Sequence, residues 1–165
     1  MSVVKSKRHE SRLEVLVQVD RLAKELTDLM IRNFGIKDVN AIARRQYAYG
    51  KDVRENPAHY RFLISEYKNA IVKDLKLLNY HIDSANAIHP TNLVECDERR
   101  RLQDLALGNC DHIKHELQQF CDDFDVRVAD YRIPIFELDR EIELLKKWRR
   151  SDNRIRKKIS QRGGI

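Results

Sequence analysis

The chain has 165 residues, 42% hydrophobic and 35% charged, which suits one domain with its own core and excludes a disordered polyelectrolyte. Its net charge of +6 is unevenly placed: residues 146–162 hold nine basic side chains and one acid, residues 1–12 hold four and one, and the body between is acidic on balance. No apolar run approaches a membrane span, no apolar stretch follows the charged start as in a signal peptide, and three cysteines are an odd number, so a soluble, cytoplasmic chain with reduced thiols is expected.

The first periodic segment runs from about Ser11 to Asn33. Val15, Val19, Leu22, Leu26 and Leu29 recur at helical steps, and Gly35 follows as a C-cap would. The second begins at Pro57, which a first helical turn tolerates, with Asn56 before it as N-cap. It carries Ile64, Tyr67, Ile71, Leu75, Leu78, Ile82 and Ala85 and stops at Ala87 to Pro90. The third, from about Asn92 to Phe124, presents Leu102, Ala106, Cys110, Ile113, Leu117, Phe120 and Phe124, with Cys110 and Cys121 read as small buried hydrophobes. The fourth starts at Pro134 and carries Ile135, Leu138, Ile142, Leu145 and Trp148. Beyond Trp148 the apolar residues thin to Ile155 and Ile159, so residues 149–165 read as a basic C-terminal tail that frays unless a partner orders it.

Four amphipathic helices with short outer connections predict an all-α fold: an antiparallel up-down-up-down four-helix bundle in a single domain, residues 1–165. The inserted connection, residues 36–56, is too long for a simple bundle loop and predicts a short extra helix between helices 1 and 2. There Arg44 and Arg45 lie beside Tyr47 and Tyr49. That mixture suits a nucleic-acid surface, or tyrosines packing on the bundle or on a neighbouring subunit.

Motifs that would mark catalysis are missing. His112, His115 and Glu116 lie in HIKHE with i, i+3 histidines, not the i, i+4 pair of a zinc protease helix. His81, His112 and His115 would bind metal only if the second and third helices gathered them. The chain holds no Glu-x-x-His pair, no Gly-rich phosphate loop and no nucleophile elbow. Asp122, Asp123 and Asp125 read as a polar turn. The expectation is a protein that is not an enzyme and has neither metal nor cofactor.

The basic ends suit a polyanion, most simply nucleic acid, against the plainer reading of a solubilising tail. Arg149, Arg150, Arg154, Arg156, Lys157 and Lys158 are the main candidates, with Lys5, Lys7 and Arg8 as a second patch and Arg44 and Arg45 as a third. Trp148 reads either as an oligomer contact, with Tyr47 and Tyr49, or as part of the chain's own core.

Three stretches carry a family resemblance. They are RLEVLVQVDRLAKEL (12–26), YRFLISEYKNAIVKDLKLLNYHIDSAN (60–86) continued by ERRRLQDLALGNCDHI (98–113), and LLKKWRRSDNR (144–154). Together they resemble the four-helix-bundle accessory variability determinants of diversity-generating retroelements, relatives of the proteins encoded in 23S ribosomal RNA intervening sequences. The most distinctive match is Trp148-Arg149-Arg150-Ser151-Asp152 followed by Arg154. The insertion at 36–56 and the residues after Arg154 depart from the compact members. The resemblance implies a homopentamer that binds template RNA and a reverse transcriptase and supports complementary-DNA synthesis without catalysing it. The competing expectation is a structural oligomerisation module whose basic tail docks an acidic protein. Salt-dependent RNA binding separates the two.

Overall fold

The computed structural model describes the backbone of residues 3–37 and 57–162 and the side chains of residues 14–37 and 61–161. Four helices make up almost all of it: α1 (Val3–Ile31), α2 (Pro57–Ala87), α3 (Leu93–Asp123) and α4 (Arg132–Arg162). Each packs on its neighbours in sequence, and α4 closes the ring against α1. The α2–α3 seam is the most extensive and the α1–α2 seam the least.

Antiparallel order is written in the cross-helix pairs. Along α3, Asp97, Arg100, Asp104 and Lys114 meet Arg156, Asn153, Arg149 and Asp139 of α4, so every step up one helix is the same step down the other. On the opposite seam Glu14 faces Arg140 and Gln18 faces Glu137. These are the contacts of the expected up-down-up-down bundle.

The predicted stripes form the core. Val15, Val19, Leu22, Leu26, Leu29, Ile71, Leu78, Ile82, Ile113, Leu117, Phe120, Leu138 and Leu145 are all buried in one cluster. Ile142, expected with them, is only half-buried and packs on the cluster edge. Its neighbour Glu141 takes the inward position instead, at 0% exposed.

Helix ends follow local chemistry. Asn92 caps α3 by accepting a hydrogen bond from the Glu95 amide at 2.9 Å, while the Glu95 carboxylate reaches back to the Thr91 amide at 2.6 Å. Those bonds hold the Glu95 carboxyl below its ordinary range. After α1 the chain makes one tight 3-10 turn, Asn33–Gly35, with all three residues at positive φ. Asn tolerates that region and Gly favours it, but Phe34 adopts it at a cost. Burial offsets the cost: Phe34 is 0% exposed and packs on Phe120 with ring centroids 4.2 Å apart. The turn then clamps the α3–α4 connection. Tyr131 donates its hydroxyl to the Phe34 carbonyl at 3.0 Å, Arg127 donates its amide to the Gly35 carbonyl at 2.9 Å, and Ile36 bridges Val126.

Three boundaries differ from the sequence reading. Helix α1 begins at Val3, a full two turns before Ser11, because residues 3–10 contain no Gly or Pro to stop it. Helix α4 begins at Arg132, before Pro134, which still lies in the first turn where its missing amide costs no intrahelical bond. The expected fraying tail is helix through Arg162. The inserted connection, including the expected short helix, lies outside the described residues from residue 38 to residue 56. Among the described residues, no helix is long and apolar enough to cross a membrane.

Candidate nucleic-acid interface

The C-terminal half of α4 is amphipathic in an unusual sense: it sorts its charges by side. Lys147, Arg150, Arg154 and Lys157 recur at steps of three and four, Lys158 follows directly, and all five are exposed. None has an ion-pair partner among the described residues. Lys147, Arg150, Ser151 and Arg154 line a shallow open depression on this outer face. The face is a continuous strip of solvated cations.

The flank toward α3 is different. Arg149 pairs with Asp104 at 2.6 Å, and Arg156 pairs with Asp97. Both pairs are exposed, so each contributes only about 0–1 kcal/mol. Their charges are nonetheless locally balanced, so Arg149 and Arg156 add less to the field of the outer face than the cations without ion-pair partners there.

The inner face explains why the helix continues through so much charge. Trp148 and Asp152, one turn apart, both reach Arg99 of α3. Asp152 Oδ2 lies 2.8 Å from Arg99 Nε and also accepts from Gln103 Nε2 at 2.7 Å. The Arg99 guanidinium stands over the Trp148 ring, 5.2 Å from its centroid, and donates to the Ile88 carbonyl at 2.9 Å. Arg99 is 1% exposed and Trp148 3%. A buried guanidinium needs its charge answered, and here a carboxylate, a carbonyl and an aromatic face answer it.

Trp148 therefore lies in the core of its own chain, which removes it from the candidate oligomer contacts. Its motif-mates divide by direction: Trp148 and Asp152 point in, Arg150 and Arg154 point out. Arg44, Arg45, Tyr47 and Tyr49 lie outside the described residues. The backbone of Lys5, Lys7 and Arg8 belongs to α1, but their side chains also lie outside them.

The histidine cluster weighed for metal is not assembled. His81 Nδ1 is 2.8 Å from Asn109 Oδ1, His112 Nδ1 is 3.7 Å from Asp74, and His115 is exposed on its own. Among the described residues, no group of three or more His, Cys, Asp or Glu is placed to hold a metal ion. Cys110 is 0% exposed and burial pushes its thiol far up, while Cys121 is half-buried and shifted upward for the same reason.

Sequence reading missed Arg99, Gln103 and Glu141 as interior residues. The signal was there: Arg99, Gln103, Ala106 and Cys110 share one stripe on α3, and Leu138, Glu141, Leu145 and Trp148 share one on α4. A charge inside an apolar stripe marks a buried polar group when a partner stripe carries the opposite charge. Arg99 meets that test through Asp152. Glu141 does not: among the described residues both carboxylate oxygens lack a hydrogen-bond partner, and desolvation pushes its carboxyl up to about 8.

No known family, no curated protein and no solved structure matches the chain.

Proposed function

We propose that this chain is a non-catalytic RNA-binding subunit that self-assembles and assists a retroelement reverse transcriptase in complementary-DNA synthesis on template RNA. The observation that carries the RNA-binding part is the unpaired basic strip of α4, Lys147, Arg150, Arg154, Lys157 and Lys158. Arginine and lysine on a rigid helix hold phosphates at a fixed spacing and read no bases, so binding is broad in sequence and set by salt. The link to a reverse transcriptase rests on the resemblance of the Trp148–Arg154 stretch. In this chain that stretch serves two ends, anchoring α4 through Arg99 and presenting cations on the far side.

Self-assembly as a homopentamer rests on the same resemblance and is supported by apolar exposure on α4. Ile133 is 58% exposed and Phe136 62%, close to the Gln18–Glu137 contact with α1. A pair of large apolar side chains in water on one helix is better covered by a second copy than left bare. Light scattering of the full chain tests this part: an oligomer that Phe136→Asp converts to monomer supports it, and a clean monomer at micromolar concentration refutes it.

The RNA-binding part is tested by titrating a single-stranded RNA across a range of salt. With five phosphates engaged per chain, log affinity falls against log salt with a slope of about −3.5. A flat response to salt favours the other reading, in which the strip docks an acidic protein and RNA is incidental.

A further inference from the structure

On the α3 side of α4, away from the outer strip, a narrow cleft runs beside the α2–α3 turn. Pro90, Cys96, Arg99, Arg100, Gln103, Arg149, Asp152, Asn153 and Arg156 line it. Four of the lining residues are arginines. Each is held from one side: Arg149 by Asp104, Arg156 by Asp97, Arg100 by Asn153 Oδ1 at 2.7 Å, and Arg99 by Asp152. For Arg100, Arg149 and Arg156 the holding atom is Nη1 in every case. Their Nη2 groups have no hydrogen-bond partner among the described residues.

Such an arrangement gives each of these guanidiniums one holding contact and leaves donors to spare. Four guanidiniums face three carboxylates, so the cluster carries a residual positive charge. Among the described residues, Arg100 answers only to a neutral amide. Planar guanidiniums with open N–H edges match the oxygens of a phosphate, which accepts paired hydrogen bonds from each fork. A neutral ligand would leave the residual charge unanswered. The cleft as it stands has room for about one water, so an anion enters only as exposed Arg149 and Arg156 swing outward from their weakly held pairs.

We infer that this cleft binds a phosphate monoester group, with Arg100, Arg149 and Arg156 as the ligating arginines and buried Arg99 as the fixed charge behind them. The group comes either from the 5′-terminal phosphate of an RNA or from a small phosphorylated molecule. The site is separate from the outer strip, so it stands whether or not that strip binds RNA.

The test uses the full chain and inorganic phosphate, with sodium chloride at matched ionic strength as control. Phosphate raises the thermal midpoint saturably and chloride does not. Arg100→Gln, which removes the guanidinium lacking a carboxylate, weakens phosphate about tenfold, and Arg156→Gln on the exposed lip does the same. Two RNAs of one sequence, with 5′-phosphate or 5′-hydroxyl, then identify the source. A preference for the phosphorylated end that Arg100→Gln abolishes points to RNA, and saturation by free phosphate with no end preference points to the small molecule. No saturable response up to millimolar phosphate overturns the inference. So does a response equal in the wild type and in folded Arg100→Gln and Arg156→Gln, with folding checked by circular dichroism.

Discussion

Asp152 Oδ2 lies 2.8 Å from Nε of the buried Arg99, and this one contact reconciles the most basic stretch of the chain with a packed helix. Asp152 is the single acid between Lys146 and Arg162. It points into the seam while the cations around it point to the flank and the outside. Without it, the guanidinium that α3 buries against α4 would lose this carboxylate.

Asp152→Ala should therefore destabilise the bundle by about 3 kcal/mol, because it leaves the buried Arg99 charge without its carboxylate. Urea denaturation of the two proteins measures it. A loss below about 1 kcal/mol would mean that the Ile88 carbonyl and the Trp148 ring suffice to hold the guanidinium.

Glu141 makes stability depend on pH. Its carboxyl ionises near 4.5 in the unfolded chain and is pushed up to about 8 in the bundle by desolvation. The folded state binds the extra proton between those values. Its contribution to stability is thus full below the unfolded value and is lost as pH rises toward 8. Glu141→Gln keeps the shape and removes the charge. The variant should match the wild type near pH 4.5 and exceed it by on the order of 3–5 kcal/mol near pH 8. Thermal midpoints at several pH values read the difference, and parallel curves for the two proteins would refute it.

Gly35 fixes the turn that clamps the α3–α4 connection. Its φ is +68°, and a Cβ there would stand 2.5 Å from Asp130 Oδ2. Gly35→Ala should cost about 1–3 kcal/mol, through left-handed strain and the displaced carboxylate. A midpoint unchanged by the substitution would mean that the turn relaxes freely.

The thiols should separate by burial. Cys121, half-buried, should react with an alkylating reagent before Cys110, which is 0% exposed and whose thiol burial pushes far up. Mass spectrometry of the native protein after short labelling gives the order. Cys110 labelled first would place α3 in a different rotation.

Helix number, helix type and most of the core were legible in the sequence because apolar residues such as Leu22, Leu26, Ile113 and Leu117 repeat at helical steps and few breakers interrupt them. The direction of individual charges was not legible. Arg149 and Arg150 are neighbours and look equivalent in sequence, yet one is paired to Asp104 and the other faces water. Only the rotation of α4 against α3 decides that, and the rotation follows from Trp148 and Asp152 meeting Arg99, a residue 49 positions before Trp148. Local pattern carries the helix; partner identity at that distance does not appear in it.

The central claim is that the outer strip of α4 is the RNA-binding surface, and a comparison of two double variants tests it most directly. RNA bearing a 5′-hydroxyl is titrated by filter binding at low and moderate salt against wild type, Arg150→Gln with Arg154→Gln, and Arg149→Gln with Arg156→Gln. The account predicts that the outer pair of substitutions weakens binding by at least about tenfold and flattens the salt slope by about 1.4. The flank pair, already balanced by Asp104 and Asp97, should change affinity far less, with helicity and assembly intact in both. Unchanged affinity in the outer variant at both salt concentrations would contradict the account.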